Sequence, residues 1–208
     1  MPIFDVTLPL TPATPIYPGD APFTFEMYRT LDAGATSNNS RLCMGSHNGT
    51  HIDAPAHFIR GGAEIGDIPP EVLVGPCLLV DVGGVDVITP EVLKPLKLED
   101  RERILFRTKN SAWISKRFQE PFVAFSADGA RALVDIGPVL IGIDAPSLDV
   151  RGAAGHPAHM AILGSGKIRG AIEWLNLAGL EPGEYELFCG PLNVTAAEAA
   201  PCRVFLRR

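Results

Sequence analysis

The 208-residue chain has little that would tie it to nucleic acid, to a membrane or to an oxidising compartment. Lys and Arg number 18 against 24 Asp and Glu, a net charge of −6, so there is no basic footprint for a phosphate backbone or an anionic lipid surface. No run approaches the roughly 20 apolar residues that a bilayer span needs. MPIFDVTLPLTP also lacks the basic stretch and apolar core of a secretion signal. The four cysteines, Cys43, Cys77, Cys189 and Cys202, form neither a CxxC pair nor a dense framework. They read as reduced, mostly buried thiols of a cytoplasmic protein. Internal repeats, low-complexity tracts and interdomain linkers are absent too, and 46% hydrophobic residues suffice for one core spanning residues 1–208.

Histidine is equally scarce, and its placement is the informative feature. All five lie in two places, 47–57 and 156–159. Residues 46–58, SHNGTHIDAPAHF, hold three of them with an aspartate. His47, His51, Asp53 and His57 are all odd-numbered, so an extended chain would point the four to one side. A helix would divide them, and Gly49 and Pro55 would weaken it. A lone histidine is usually satisfied by backbone or solvent. Three with an aspartate would repel or stay unpaired if buried together, which points to a metal or catalytic site.

Imidazole and carboxylate are the usual ligands of first-row divalent ions. The second histidine cluster is the natural source of further ligands. His159 leads there, because His156 precedes Pro157 at a helix edge and reads as a capping or surface residue. Glu173, a lone carboxylate inside apolar AIEWLNL, needs a partner if buried, and a metal supplies one. A nucleophilic serine or cysteine competes poorly, since Ser46 and Cys43 lack a GxSxG elbow. GSGK at 164–167 lacks the GxxxxGK[ST] spacing and follows a helix instead of preceding one.

Around these residues the pattern is α/β and strand-rich with few helices. Strands are expected in IFDVTLPL, FTFEMYRTL, SRLCMGS, CLLVDV, RILFRT, FVAF, VLIGI, AIEWLNL, EYELFCGPL and CRVFLRR. IRGGAEIGDIPPEVLVG reads as loop. Thr89 caps a short helix that Pro95 stops, and Ser126 caps another that ends at Gly137. FVAF, that helix and VLIGI make a crossover between parallel strands. GHPAHMAILGSG supplies one or two further helical turns. Arg107, Lys109 and Asn110 read as solvated groups at a strand end, Asp144 as a turn cap, and Tyr17 in IYPGD as a surface tyrosine or a pocket wall.

HNGTHIDAPAHF fills every fixed position of HxGTHxDAPxHF, and the chain therefore resembles the cyclase family of metal-dependent hydrolases, which includes the bacterial kynurenine formamidases. The likeness extends to LPLTPATPIYPGD, RILFRTKNS, GIDAPSLD, HMAILGSG and YELFCGPL. It implies a compact α/β domain of the swivelling β/β/α type, with mixed sheets in two mostly β layers, assembled as a homodimer or homotetramer. It also implies two divalent ions, zinc ahead of manganese. His47 and His51 would hold one ion, His159 the other, with Asp53 bridging and Glu173 touching both. His57 would carry the proton while activated water cleaves a small-molecule amide such as N-formylkynurenine, or a cyclic amide or lactone such as isatin. A non-catalytic metal-binding protein is the remaining alternative. Tyr17 stands where a formamidase has a substrate-contacting tryptophan, and the His159 to Glu173 spacing is longer than usual, which a turn around 167–170 would absorb.

Overall fold

The computed structural model describes residues 1–208. Its strands are β1 (Ile3–Asp5), β2 (Thr24–Arg29), β3 (Asn39–Cys43), β4 (His51–Asp53), β5 (Val74–Asp81), β6 (Arg103–Arg107), β7 (Leu140–Ile143), β8 (Gly170–Glu173), β9 (Gly183–Pro191) and β10 (Ala199–Arg207). The helices are α1 (Pro70–Leu73), α2 (Pro90–Leu93), α3 (Ala127–Ile136) and α4 (Pro157–Leu163).

Eight strands form one mixed sheet in the order β1-β10-β4-β8-β7-β6-β5-β9. β5, β6, β7 and β8 run parallel, and their apolar runs are what strands covered on both faces require. β9 also pairs antiparallel with β10, which closes β10-β4-β8-β7-β6-β5-β9 into a ring and leaves the three-residue β1 as the short outer edge. The main sheet is thus one barrel-like closure in a compact strand-rich domain with few helices. β2 and β3 form a separate two-stranded ribbon.

Strand alternation divides the apolar residues between two cores. Ile52, Leu79, Leu105, Leu140, Ile172, Leu187 and Val204 pack together within the closure. Their neighbours Val80, Phe106, Ile141 and Ala171 belong to a second cluster with Leu133 of α3 and Ile162 of α4. α3 behaves as its sequence predicts: Gly129 N–H donates to Ser126 Oγ at 2.9 Å, and Gly137 ends the helix in the left-handed conformation.

Expectations are corrected at four sites. FVAF is not a strand; only Phe125 makes isolated bridges, to Ile88 and Asp149. The crossover into β7 therefore starts from β6, its parallel neighbour. The strand in AIEWLNL stops at Glu173, because Trp174 turns to φ 55°. The segment read as loop after residue 58 holds α1. At the fourth site, Pro95 does not stop the helix abruptly but sits in a one-turn 3-10 continuation of α2, Lys94–Leu96, where a proline near a helical start loses no bond. Thr89 makes no side-chain cap there and donates to Glu91 instead.

Candidate metal centre

β4 and β8 are antiparallel neighbours in which His51 lies directly opposite Glu173. Ile52 and Ile172 turn into the closed core, so His51, Asp53 and Glu173 turn the other way, toward α4. Alternation thus accounts for His51 and Asp53, but it does not deliver His47 and His57. His47 lies in the turn before β4, and His57 ends a 3-10 turn, Pro55–His57. The four converge on one point, as expected, by loop geometry and not by a single extended strand.

The GTH tripeptide builds the entry to β4. Gly49 has φ 64°, a conformation that selects glycine, and a Cβ there would also displace Leu10 Cδ2, which lies 2.8 Å from its position. Its carbonyl accepts from His51 Nδ1 at 2.9 Å, which leaves His51 Nε2 facing the centre. Thr50 Oγ1 donates to the Trp174 carbonyl at 2.7 Å and accepts from Leu8 N–H at 2.8 Å. That bond holds the strained turn that follows Glu173.

Asp53 sits at the focus, fully buried, with neither carboxylate oxygen in a hydrogen bond. His47 Nδ1 and His51 Nε2 approach its Oδ1 at 3.0 and 3.2 Å, and His159 Nε2 approaches Oδ2 at 3.7 Å, without hydrogen-bond alignment. Glu173 Oε2 is 3.6 Å from His51 Nε2, and its Oε1 is 3.2 Å from His159 Nε2 while accepting from Leu148 N–H at 2.7 Å. Between His159 and Glu173 the chain makes a turn in which Ser165 Oγ accepts from the Lys167 and Ile168 amides. A buried carboxylate with no donor costs several kcal/mol of lost hydration. Three imidazole nitrogens and two carboxylates converging there are a donor set that fits a divalent cation.

Charge is strongly coupled across this nest. Burial alone would raise the Asp53 carboxyl, but the imidazoles of His51, His159 and His47 outweigh it and hold it well below the usual range. Glu173 is pushed up by burial and by the Asp53 charge beside it. Burial disfavours charge on His51, yet Asp53 and Glu173 raise its pKa to about 9. His57 goes the other way: burial, helped by the neighbouring His47 and His159, lowers it to about 4.

A cavity of about 190 Å³ opens onto the nest, lined by Tyr17, Asp20, Phe58, Ser147, Trp174 and the histidines. Larger clefts of about 710 and 630 Å³ lie elsewhere and contain none of these groups. Tyr17 is a pocket wall, set edge-on to Phe118 at 5.5 Å, and its hydroxyl accepts from Arg151 Nη1 at 2.7 Å. His156 starts α4 without a side-chain cap and stays half exposed. Asp144 does not cap its own turn: it is buried and accepts from the Thr108 amide and from Ser111, on the segment that follows β6. Asn110 is buried, not solvated, and clamps the backbone of Val123; Arg107 and Lys109 pair with Asp81 and Asp86. Two carboxylates escaped the sequence reading: Asp149 behind His159 and Glu198 behind His47. Asp149 lies within GIDAPSLD, but no local spacing singles it out, and its role appears only once α4 folds against it.

A buried nest of imidazoles and carboxylates on the outer face of a closed α/β sheet, beneath an aromatic-walled cavity, is a candidate metal centre of the kind a metal-dependent hydrolase requires. The chain's relatives agree. The cyclase family model matches residues 4–150. The kynurenine formamidase of Salinibacter ruber is 35% identical over 100% of this chain and 98% of its own. A solved structure described as a potential metal-dependent hydrolase with cyclase activity is 35% identical, with a TM-score of 0.86 over 99% of this chain and 96% of its own. Isatin hydrolase A from Labrenzia aggregata shares the fold at 24% identity, with a TM-score of 0.82 over 99% of this chain and 93% of that one. The chain belongs to the cyclase family and is an amidohydrolase. No helix is long and apolar enough to cross a membrane.

Proposed function

We propose that the chain hydrolyses the formamide of an aromatic amine, N-formylkynurenine, to kynurenine and formate. The observation that carries this reading is the buried Asp53 carboxylate, its oxygens free of hydrogen bonds and divided between His47 and His51 on one side and His159 on the other. That division supports a site for two divalent ions: His47 and His51 would hold one and His159 the other, with Asp53 and Glu173 as carboxylates available to both, and imidazole with carboxylate donors suit zinc, with manganese as the alternative. The 35% identity to a kynurenine formamidase along the whole chain supports the substrate.

Divalent ions bound there lower the pKa of water and polarise a carbonyl oxygen. The chain's own residues do the rest. His57 lies beside His47 and Asp53, and no hydrogen bond within the protein engages its ring, unlike those of His47, His51 and His159. With its pKa near 4 it is uncharged at neutral pH. It can therefore take the proton lost by the attacking water and return it to the departing amine nitrogen. Tyr17, Phe58 and Trp174 pack the aryl ring and exclude bulk water.

A second reading is a cyclic amide such as isatin, favoured by the small volume of the cavity, about 190 Å³, which suits a compact planar substrate. We further place the protein in the cytoplasm as a homodimer or homotetramer, without nucleic acid or membrane partners. Its four free thiols suit a reducing compartment. Phe25 and Leu42, opposite each other on the β2–β3 ribbon, are exposed with Met27, a patch that self-association would cover. The test is metal-loaded protein assayed against N-formylkynurenine, isatin and simple esters. Formate release from N-formylkynurenine, abolished by a chelator and restored by zinc, is expected. Turnover of isatin alone would favour the second reading, and inactivity across the panel with metal bound would overturn both.

A further inference from the structure

Each of the three imidazoles facing Asp53 has a second ring nitrogen, and the three differ in what that nitrogen meets and how deeply the partner is buried. His51 Nδ1 is held by the Gly49 backbone carbonyl at 2.9 Å. His47 Nε2 lies 3.4 Å from the half-exposed Glu198 carboxylate, a group that also accepts from Ser46 Oγ at 2.5 Å. His159 Nδ1 is 2.5 Å from Oδ2 of Asp149, and both side chains are 4% exposed. Only the His159 pair is a buried carboxylate against a buried imidazole.

Asp149 does more than touch the ring. Its Oδ1 accepts from the Ala158 amide at 2.7 Å, and its Oδ2 accepts from the His159 amide at 3.2 Å. Both amides belong to the first turn of α4, whose N-cap position is filled by His156 without a side-chain bond. One carboxylate therefore satisfies two orphan amides of the helix start and the imidazole of the residue that helix presents. The position, the rotation and the protonated nitrogen of His159 are set by the same group. A ring whose Nδ1–H is directed at a carboxylate keeps its Nε2 lone pair for a metal. Nε2 is the atom that faces Asp53 and Glu173 at 3.7 and 3.2 Å.

Asp149, His156 and His159 also form a trio with donor atoms close enough to suggest an ion of their own. The distances argue against it. Two ligands about 2.1 Å from one ion usually stand about 3 to 3.5 Å apart, whereas His159 Nδ1 and Asp149 Oδ2 are 2.5 Å apart and share a hydrogen bond. His156 Nδ1 is 3.9 Å away on a half-exposed side chain.

We infer that Asp149 is a positioning residue for the centre, fixing His159 so that Nε2 is its metal-binding nitrogen. The inference rests on the reading of His159 as a ligand. Its test is zinc affinity of the purified full chain, measured without substrate by competition with a chromogenic chelator, for the wild type, Asp149→Asn and His159→Ala. Asparagine caps a helix about as well as aspartate, so Asp149→Asn keeps an acceptor for the α4 amides while removing the carboxylate. The expected result is a loss of about 10- to 100-fold in zinc affinity in Asp149→Asn with an unchanged circular dichroism spectrum. Wild-type affinity in Asp149→Asn, with zinc lost in His159→Ala, would overturn the positioning role and leave the metal site standing. Wild-type affinity in His159→Ala would overturn the ligand reading and this inference with it. Nitrogen-15 imidazole spectra of the zinc-loaded wild type give a readout that does not depend on how any variant folds. A protonated Nδ1 on His159 is expected, and a protonated Nε2 would refute the proposal.

Discussion

The metal nest takes one half of its side chains from residues 47–57 and the other from His159 and Glu173, and the two halves are held by different means. In the first half the chain's own local geometry places the groups. Gly49 turns the backbone and its carbonyl anchors His51, β4 alternation points Asp53 the same way, and one 3-10 turn returns His57. In the second half nothing is local. His159 depends on α4 docking against Asp149, and Glu173 on β8 pairing with β4 and on the Leu148 amide. The first half can thus be written into a dozen consecutive residues, whereas the second exists only when the sheet has closed.

Asp53 is where the halves meet, and removing it breaks the comparison most completely. In Asp53→Ala the two halves share only Glu173, and His51 and His159 each lose one of the carboxylates that raise their pKa values. Elemental analysis of the purified variant should find the site empty. Turnover should fall by at least about 1,000-fold, roughly 4 kcal/mol of transition-state stabilisation. An unchanged metal content would end the claim that Asp53 joins the two halves.

The same contrast explains what could be read from the sequence. The first half was legible because its residue types, spacing and turn signals all lie within HNGTHIDAPAHF. Glu173 was legible for another local reason, a charge inside an apolar strand. Asp149 and Glu198 were not, because each gains meaning only from a histidine distant in sequence or brought beside it by tertiary pairing. The strand-rich α/β class followed from apolar runs such as CLLVDV and RILFRT. The closure of β9 onto β10 did not, because strand order is a matter of pairing between distant segments and leaves no periodic trace. FVAF shows the opposite failure: its apolar residues fill the core, and burial alone does not make a strand.

His57 belongs to the first half by sequence but, on the proposed reading, to neither half by coordination. His57→Ala should keep the metal content of the wild type while lowering turnover by about 100-fold or more, the usual weight of general acid and base catalysis. Loss of metal in this variant would make His57 a ligand and redraw the boundary between the halves. Full turnover would remove it from the chemistry.

Gly49 tests whether local geometry really governs the first half. Alanine there must take φ 64° with its Cβ pressed against Leu10, a strain of about 1–3 kcal/mol. Chemical denaturation of metal-free protein should show a loss of that size. Zinc affinity should fall too, since the carbonyl that orients His51 moves with the backbone. Stability lost without any change in affinity would mean that His51 is held by Asp53 and Glu173 and not by its own turn.

The smallest effect is expected at Tyr17, which lies at the mouth and contributes to neither half. Its hydroxyl accepts from the exposed Arg151, which also pairs with Glu120, and such solvent-facing pairs contribute little. Its ring, by contrast, is one wall of the cavity above the metal groups and rests edge-on against Phe118. Tyr17→Phe should therefore leave metal content and kcat unchanged and move KM by less than about fivefold. Tyr17→Ala, which removes the wall itself, should raise KM further while kcat stays near the wild-type value, because the ring binds substrate and transition state alike. A fall in kcat with KM unchanged would instead place the hydroxyl at the reacting atoms and give Tyr17 a share in the chemistry assigned to His57.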